Sequence, residues 1–163
     1  QQRFQVASGF TMTLNGSNFT LSGGSNDGIG GVPGSKLPAG PAGPTLNIIN
    51  GSSLEAFFIV NGVQMNVDGT SSVTLGGGGN PVNISSINLD TGATLSFTRE
   101  TIAQFNTEHL SKITINGTAA QEGLNFTIDA LGAAGSTITA IPEPSVGLFG
   151  AIGCVVLLLR RRR

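Results

Sequence analysis

The sequence predicts an all-β fold: an antiparallel β-sandwich or jelly-roll-like domain of about ten short strands with one short helix, followed by a single C-terminal transmembrane helix. Three observations lead there. The body reads as short runs that alternate polar and apolar residues, the period of a strand with one dry face. Turn signals separate the runs, drawn from 25 glycines and an abundance of Asn, Ser and Thr. Near the C-terminus the alternation stops at Pro142-Glu143-Pro144 and gives way to an apolar run that ends in four arginines. A chain of 163 residues has room for one ordinary domain and no second catalytic one.

The elements follow in order. From Phe4 to Leu14 the even positions are mostly apolar, which predicts one strand with Phe10 on its buried face. Asn15-Gly16 turns the chain into a short strand at Phe19–Leu21. Residues 22–44 are rich in Gly, Pro and Ser and keep no apolar period, so a long loop is expected there. Phe57–Val60 and Val63–Val67 flank Asn61-Gly62, and Asn-Gly supplies the positive φ angles of a type I′ turn, predicting a β-hairpin. Alternating runs at 45–49, 72–75, 82–89, 94–98, 112–115, 124–128 and 137–141 supply the other strands. The parity change between Val82 and Ile87 reads as a bulge at Ser85-Ser86. Glu100–Leu110 places Ile102, Ala103, Phe105 and Leu110 on one broad stripe, and Thr101 with Gln104 fits a capping box, so one short helix is expected at about 99–110. Phe58, Phe97 and Phe126, like Phe10, occupy alternating positions expected of a core. Four Asn-Gly turns, at 15, 50, 61 and 116, fall at irregular intervals; without a fixed period, a β-solenoid is the less favoured architecture.

Charge and composition exclude several functions. The net charge is −1, and four of the eight basic residues form the terminal run Arg160, Arg161, Arg162 and Arg163. Residues 1–141 hold four basic and eight acidic groups, without the basic footprint that nucleic acid requires. The single Cys forbids an internal disulfide, and Cys154 lies in the apolar run as a small hydrophobe. With His109 the only imidazole, no zinc site of the usual His/Cys type can form within one chain, and neither metal nor cofactor is expected. A triad through His109 lacks the accompanying G-x-S-x-G elbow, so this residue reads as helix-capping or half-buried.

Three stretches resemble functional motifs. Asp90-Thr91-Gly92 matches the Asp-Thr-Gly loop of aspartic proteases, where two aspartates share a proton. A dimer would have to supply the second copy, and the same residues suit a tight hairpin turn. The glycines at 76–79 and the stretch Gly28–Lys36 lack the Gly-Lys-Ser/Thr ending of a phosphate loop. The acidic turns at Asp27, Asp68 and Asp90 offer oxygens to calcium only if their loops converge.

The C-terminus carries the most specific constellation. Pro142, Glu143 and Pro144 cannot continue a strand ladder. The apolar run 146–159 follows, with Val146, Leu148, Phe149, Ile152, Val155, Val156, Leu157, Leu158 and Leu159 as its anchor residues. As a helix it would measure about 21 Å, short of a hydrocarbon core of roughly 30 Å, so it is a marginal anchor. Arginines after it stay cytoplasmic under the positive-inside rule, which places residues 1–141 across the membrane. Such a body needs an export leader, and the chain starts at Gln1 with neither Met nor leader, so it is expected to be either a mature chain whose signal peptide has been removed or a trimmed one.

This tail resembles the PEP-CTERM sorting signal of Gram-negative bacteria, on the residues Pro142-Glu143-Pro144, the apolar run and Arg160–Arg163. The resemblance covers residues 141–163 only. It implies Sec-dependent export, transient residence in the inner membrane, and processing near the motif by an exosortase, an integral-membrane cysteine protease. It further implies delivery of the 1–141 domain to the cell surface or an exopolysaccharide matrix, as in a biofilm. An address carries over, and no activity. For the body, a structural or interaction role in the matrix is the leading expectation, and no enzymatic one. A carbohydrate-binding surface module comes second, disfavoured by the absence of Trp and Tyr. A hydrolase built on a dimeric Asp90 site comes last.

Overall fold

The computed structural model of the protein describes residues 3–21, 28–31 and 43–143. Its strands stack in parallel coils. The first coil holds β1 (Arg3–Val6), β2 (Thr11–Asn15) and β3 (Asn18–Thr20). The second holds β4 (Gly28–Gly31), β5 (Thr45–Ile49) and β6 (Ser53–Ala56), and the third β7 (Phe58–Val60), β8 (Gln64–Val67) and β9 (Ser72–Leu75). The fourth holds β10 (Val82–Asn83), β11 (Ser86–Leu89) and β12 (Thr94–Phe97). Each strand pairs with its counterpart in the next coil, giving three walls: β1-β4-β7-β10, then β2-β5-β8-β11, then β3-β6-β9-β12. This is a β-solenoid.

The antiparallel sandwich expected from the sequence is therefore corrected: every pairing between coils is parallel. The physical reason lies at the turns. Asn61-Gly62 takes positive φ at both residues, 61° and 78°, as the sequence predicts. Yet β7 and β8 do not pair; the turn swings the chain from one wall to the next. Asp90-Thr91-Gly92 likewise joins β11 to β12 across a corner. The parity change at Ser85-Ser86 is also a corner, where Ile84 adopts φ 53° and lies 74% exposed. The supposed strand Phe4–Leu14 is broken by a turn in which the Phe10 N–H bonds the Ala7 carbonyl, leaving Phe10 67% exposed instead of in the core. The expected loop 22–44 contains β4, whose Ile29 is fully buried between β1 and β7.

Stacking in register makes the core a set of apolar columns. Leu46, Met65, Ile87 and Ile113 form one; Ile48, Val67, Leu89 and Ile115 form a second, and Leu54, Val73, Leu95 and Ile138 a third. All are essentially buried, each contributing roughly 1.5–3 kcal/mol on removal from water. Steps between equivalent residues vary, as from Thr11 to Thr45, Thr45 to Gln64 and Gln64 to Ser86. Insertions at the corners thus hide the period.

The C-terminal end is closed by a different set of elements. After β12 the expected helix forms as α1 (Ile102–Glu108), with the Thr101/Gln104 capping box in place and a 3-10 turn at Leu110–Lys112. Strand β13 (Ile113–Ile115) adds to β11 in parallel, and β14 (Thr118–Ala119) folds back antiparallel on β13. Strands β15 (Phe126–Leu131) and β16 (Gly135–Ala140) form an antiparallel hairpin, with β16 also antiparallel to β12. Phe105 of α1 packs on Phe97 and Phe126, with ring centroids 5.7 and 6.2 Å away. Among the described residues no helix is long and apolar enough to cross a membrane. The run expected to do so, 146–159, lies outside them.

Two corners approach so closely that only glycine fits. A Cβ on Gly92, at φ 98°, would lie 2.5 Å from the Gly69 carbonyl oxygen of the coil before. Gly117, at φ 78°, faces open space. Gly92→Ala is expected to destabilise by about 3 kcal/mol or more, combining positive-φ strain with a backbone clash, and Gly117→Ala by about 1 kcal/mol from strain alone. Urea unfolding of the two variants checks the difference.

Candidate functional site

Stacking that aligns the core also aligns the outward residues. On the second wall Thr13, Asn47, Asn66, Asn88 and Thr114 lie one above another. Asn66 donates to the Asn47 side-chain oxygen at 2.9 Å, and Thr114 donates to Asn88 at 3.0 Å. On the third wall Ser72, Thr94 and Thr139 align, as do Thr74, Ser96 and Thr137; Ser96 and Thr137 share a 3.0 Å hydrogen bond. Successive strands stand about 4.8 Å apart, so these walls present regular rows of hydroxyl and amide groups.

The corner between the second and third walls brings Asp68 and Asp90 into adjacent coils, with the Asp90 N–H bonding the Val67 carbonyl. Their oxygens are already engaged. Asp68 accepts the Asn50 N–H at 2.6 Å and both the N–H and hydroxyl of Thr70 at 3.0 and 2.9 Å. Asp90 accepts from Asn88 at 3.2 Å and is exposed. Both act as turn residues, and Asp27 lies outside the described residues. Partial burial pushes Asp68 up, but the bonds from Ser71, Asn50 and Thr70 prevail and hold it down at about 2. One layer inward, Ser17 donates its N–H to the Ser52 hydroxyl and Ser52 its N–H to that of Ser71, both at 3.1 Å. Ala93, fully buried, continues the inward-facing corner position in the fourth coil.

A second cluster lies under α1. The Glu100 backbone carbonyl accepts the Ser136 hydroxyl at 2.9 Å, and its carboxylate Oε1 accepts the Gly79 N–H at 2.6 Å. Its Oε2 is buried and meets no donor among the described residues. His109, which caps α1 through its N–H to the Phe105 carbonyl, is wholly buried and not half-buried, its ring stacked on Phe97 at 5.1 Å and 6°. Neither ring nitrogen has a partner among the described residues. Burial, with a smaller push from the Lys112 charge, lowers His109 to about 4 and keeps the imidazole neutral near pH 7. Burial raises Glu100, the Glu108 charge adding to it and the Gly79 bond opposing. Donor atoms of Glu100, Glu108 and His109 lie within 4.8 Å of one another.

The sequence does not single out Glu100 and Glu108. The only usable signal is one His at a helix end, with acidic residues beside it and just before the helix. The glycines at 76–79, set aside as nucleotide loop, extend the coil ladder: Gly76 and Gly77 donate to the Ala56 and Phe57 carbonyls.

Of the tail, Pro142 and Glu143 are described and exposed. The last backbone bond of the body runs from the Ile141 N–H to the Asn125 carbonyl, 2.9 Å. Beyond it Thr118 reaches Glu143 at 3.2 Å. Pro144, the anchor residues and Arg160–Arg163 lie outside the described residues. No family model, curated protein or solved structure matches the chain.

Asp68 has a sign that can be tested. Its folded value lies below the unfolded 3.8, so its stabilisation is present above about pH 4 and is lost as pH falls towards 2. Asp68→Asn should melt below wild type at pH 7, and that gap should close between pH 4 and 2, as thermal melts across this range would reveal.

Proposed function

We propose that this chain is an exported cell-surface or exopolysaccharide-matrix protein of a Gram-negative bacterium, held first in the inner membrane and then processed by an exosortase. Pro142, Glu143 and Pro144 act as the recognition motif. The apolar run 146–159 and Arg160–Arg163 keep the precursor at the membrane with its body outside. The observation that carries this reading is the order of those three parts in the sequence. The exposure of Pro142 and Glu143 just past the last backbone bond of the body supports it, because a protease needs an extended, accessible segment.

The body serves as a structural or interaction element of the biofilm matrix. A solenoid with hydroxyl and amide rows repeating along its axis suits a repeating polymer, to which each coil offers equivalent hydrogen-bonding groups. A carbohydrate-binding module is the second reading, and one observation favours it. Phe10 and Phe4, 67% and 38% exposed, flank an open hollow of about 290 Å³ beside the first coil, where a sugar face could stack. Asp90 is given no catalytic part, since it is a corner residue engaged with Asn88.

Replacing Pro142, Glu143 and Pro144 together by alanine is expected to abolish processing. Intact mass and cell fractionation in a host carrying an exosortase should find wild type shortened and at the surface, and the variant full-length in the membrane. Retention of Arg163 by both proteins would refute the sorting reading.

A further inference from the structure

The cluster under α1 has an arrangement that packing alone does not explain. Two of its side chains, Glu100 and His109, are fully buried, yet among the described residues Glu100 Oε2 and both nitrogens of His109 bond to no protein group. Burying a polar atom away from water without a partner is costly, so such groups persist where something else satisfies them. Both are also held in place. Glu100 is fixed at its carboxylate by Gly79 and at its carbonyl by Ser136, while His109 is clamped by the Phe97 ring and by its position at the end of α1. Glu108, the last residue of α1 and the one before His109, is exposed and free to swing.

We propose that Glu100, Glu108 and His109 form a binding site for one zinc ion that pins α1 to the end of the solenoid. One imidazole nitrogen with two carboxylate oxygens is a donor set suited to zinc, whereas calcium and magnesium prefer six or more oxygens. Bonds of about 2.0–2.2 Å in tetrahedral geometry need donor atoms roughly 3.3 Å apart. Donors now within 4.8 Å of one another must close by at most about 1.5 Å, a distance that small side-chain rotations at the three residues cover together, the largest of them at exposed Glu108. Water completes the coordination on the exposed side. The nearby Lys112 ammonium is directed to the Asn80 side chain at 2.8 Å, and the two carboxylates outweigh its single charge. The ion would join three segments: the stretch between β12 and α1 that carries Glu100, the end of α1, and through Glu100 the Gly79 loop. Metal that binds only the folded chain stabilises it by mass action.

The test uses the full 163-residue chain in mild detergent, stripped with chelator and titrated with zinc, and separately with cobalt as a coloured substitute. One zinc per chain, a raised melting temperature, and cobalt absorption of tetrahedral character are expected. Glu108→Gln, at an exposed position, should fold as wild type. Losing a directly bonded ligand should weaken zinc by at least the roughly 10–100-fold seen for the outer partners of metal sites. His109→Gln should do the same, and Glu55→Gln on the third wall should leave binding unchanged. Absence of stoichiometric zinc, or wild-type affinity in Glu108→Gln, overturns the proposal and leaves the buried groups to water.

Discussion

Backbone hydrogen bonds between successive coils set each residue directly over its counterpart, and the rest of the structure answers to that alignment. A residue tolerated once must be tolerated next to its like about 4.8 Å away. Apolar residues gain from this, forming columns such as Leu46, Met65, Ile87 and Ile113 that share one dry interior. Polar residues survive it only where they can bond along the column. Asn47 and Asn66 do so through their amides, as do Ser17, Ser52 and Ser71 through hydroxyls and backbone N–H groups. Charges are the costly case. The corner that carries Asn50, Asp68 and Asp90 in successive coils engages both oxygens of Asp68 with local donors and leaves Asp90 exposed to water with one bond from Asn88.

Such a stack must end, since its last strands would otherwise offer unpaired backbone to another chain. The C-terminal end solves this by reversing direction. Strand β14 folds back on β13, and the β15–β16 hairpin pairs antiparallel with β12. Helix α1 covers the apolar end of the core through Phe105, and Asn125, fully engaged with Gln121 and Ala119, fixes the loop that starts the hairpin. The cap is thus where the repeating logic stops and individual residues matter, and the buried Glu100 and His109 sit there. Ile141, whose N–H makes the last backbone bond among the described residues, lies at this same end.

Alternation at Leu46-Ile48, Val73-Leu75 and Leu95-Phe97 marks strands in the sequence as in the fold, and Thr101 with Gln104 marks the helix start. Partner choice is a different matter. Asn61-Gly62 has the backbone conformation that its residues demand, but the same positive φ angles serve a hairpin or a solenoid corner. Which one forms depends on contacts 19 or more residues away, such as Leu46 over Met65. Corner insertions of unequal length, α1 among them, erase the period that would have exposed the repeat. Phe10 shows the reverse failure: its parity fits a core, and a turn at Ala7 carries it outward. Glu108 adjoins His109 in sequence, but Glu100 is brought to them only by the fold across α1, and no spacing of ligand residues announces the three together.

The account rests on parallel stacking, and the most direct measurement is a set of inter-strand nuclear Overhauser contacts in the isotopically labelled full chain. In-register parallel pairing predicts backbone contacts of Leu46 with Met65 and of Met65 with Ile87, and none between β7 and β8. Contacts placing Val60 opposite Val63 and Phe58 opposite Met65 would mean an antiparallel hairpin at Asn61-Gly62 and would contradict the solenoid.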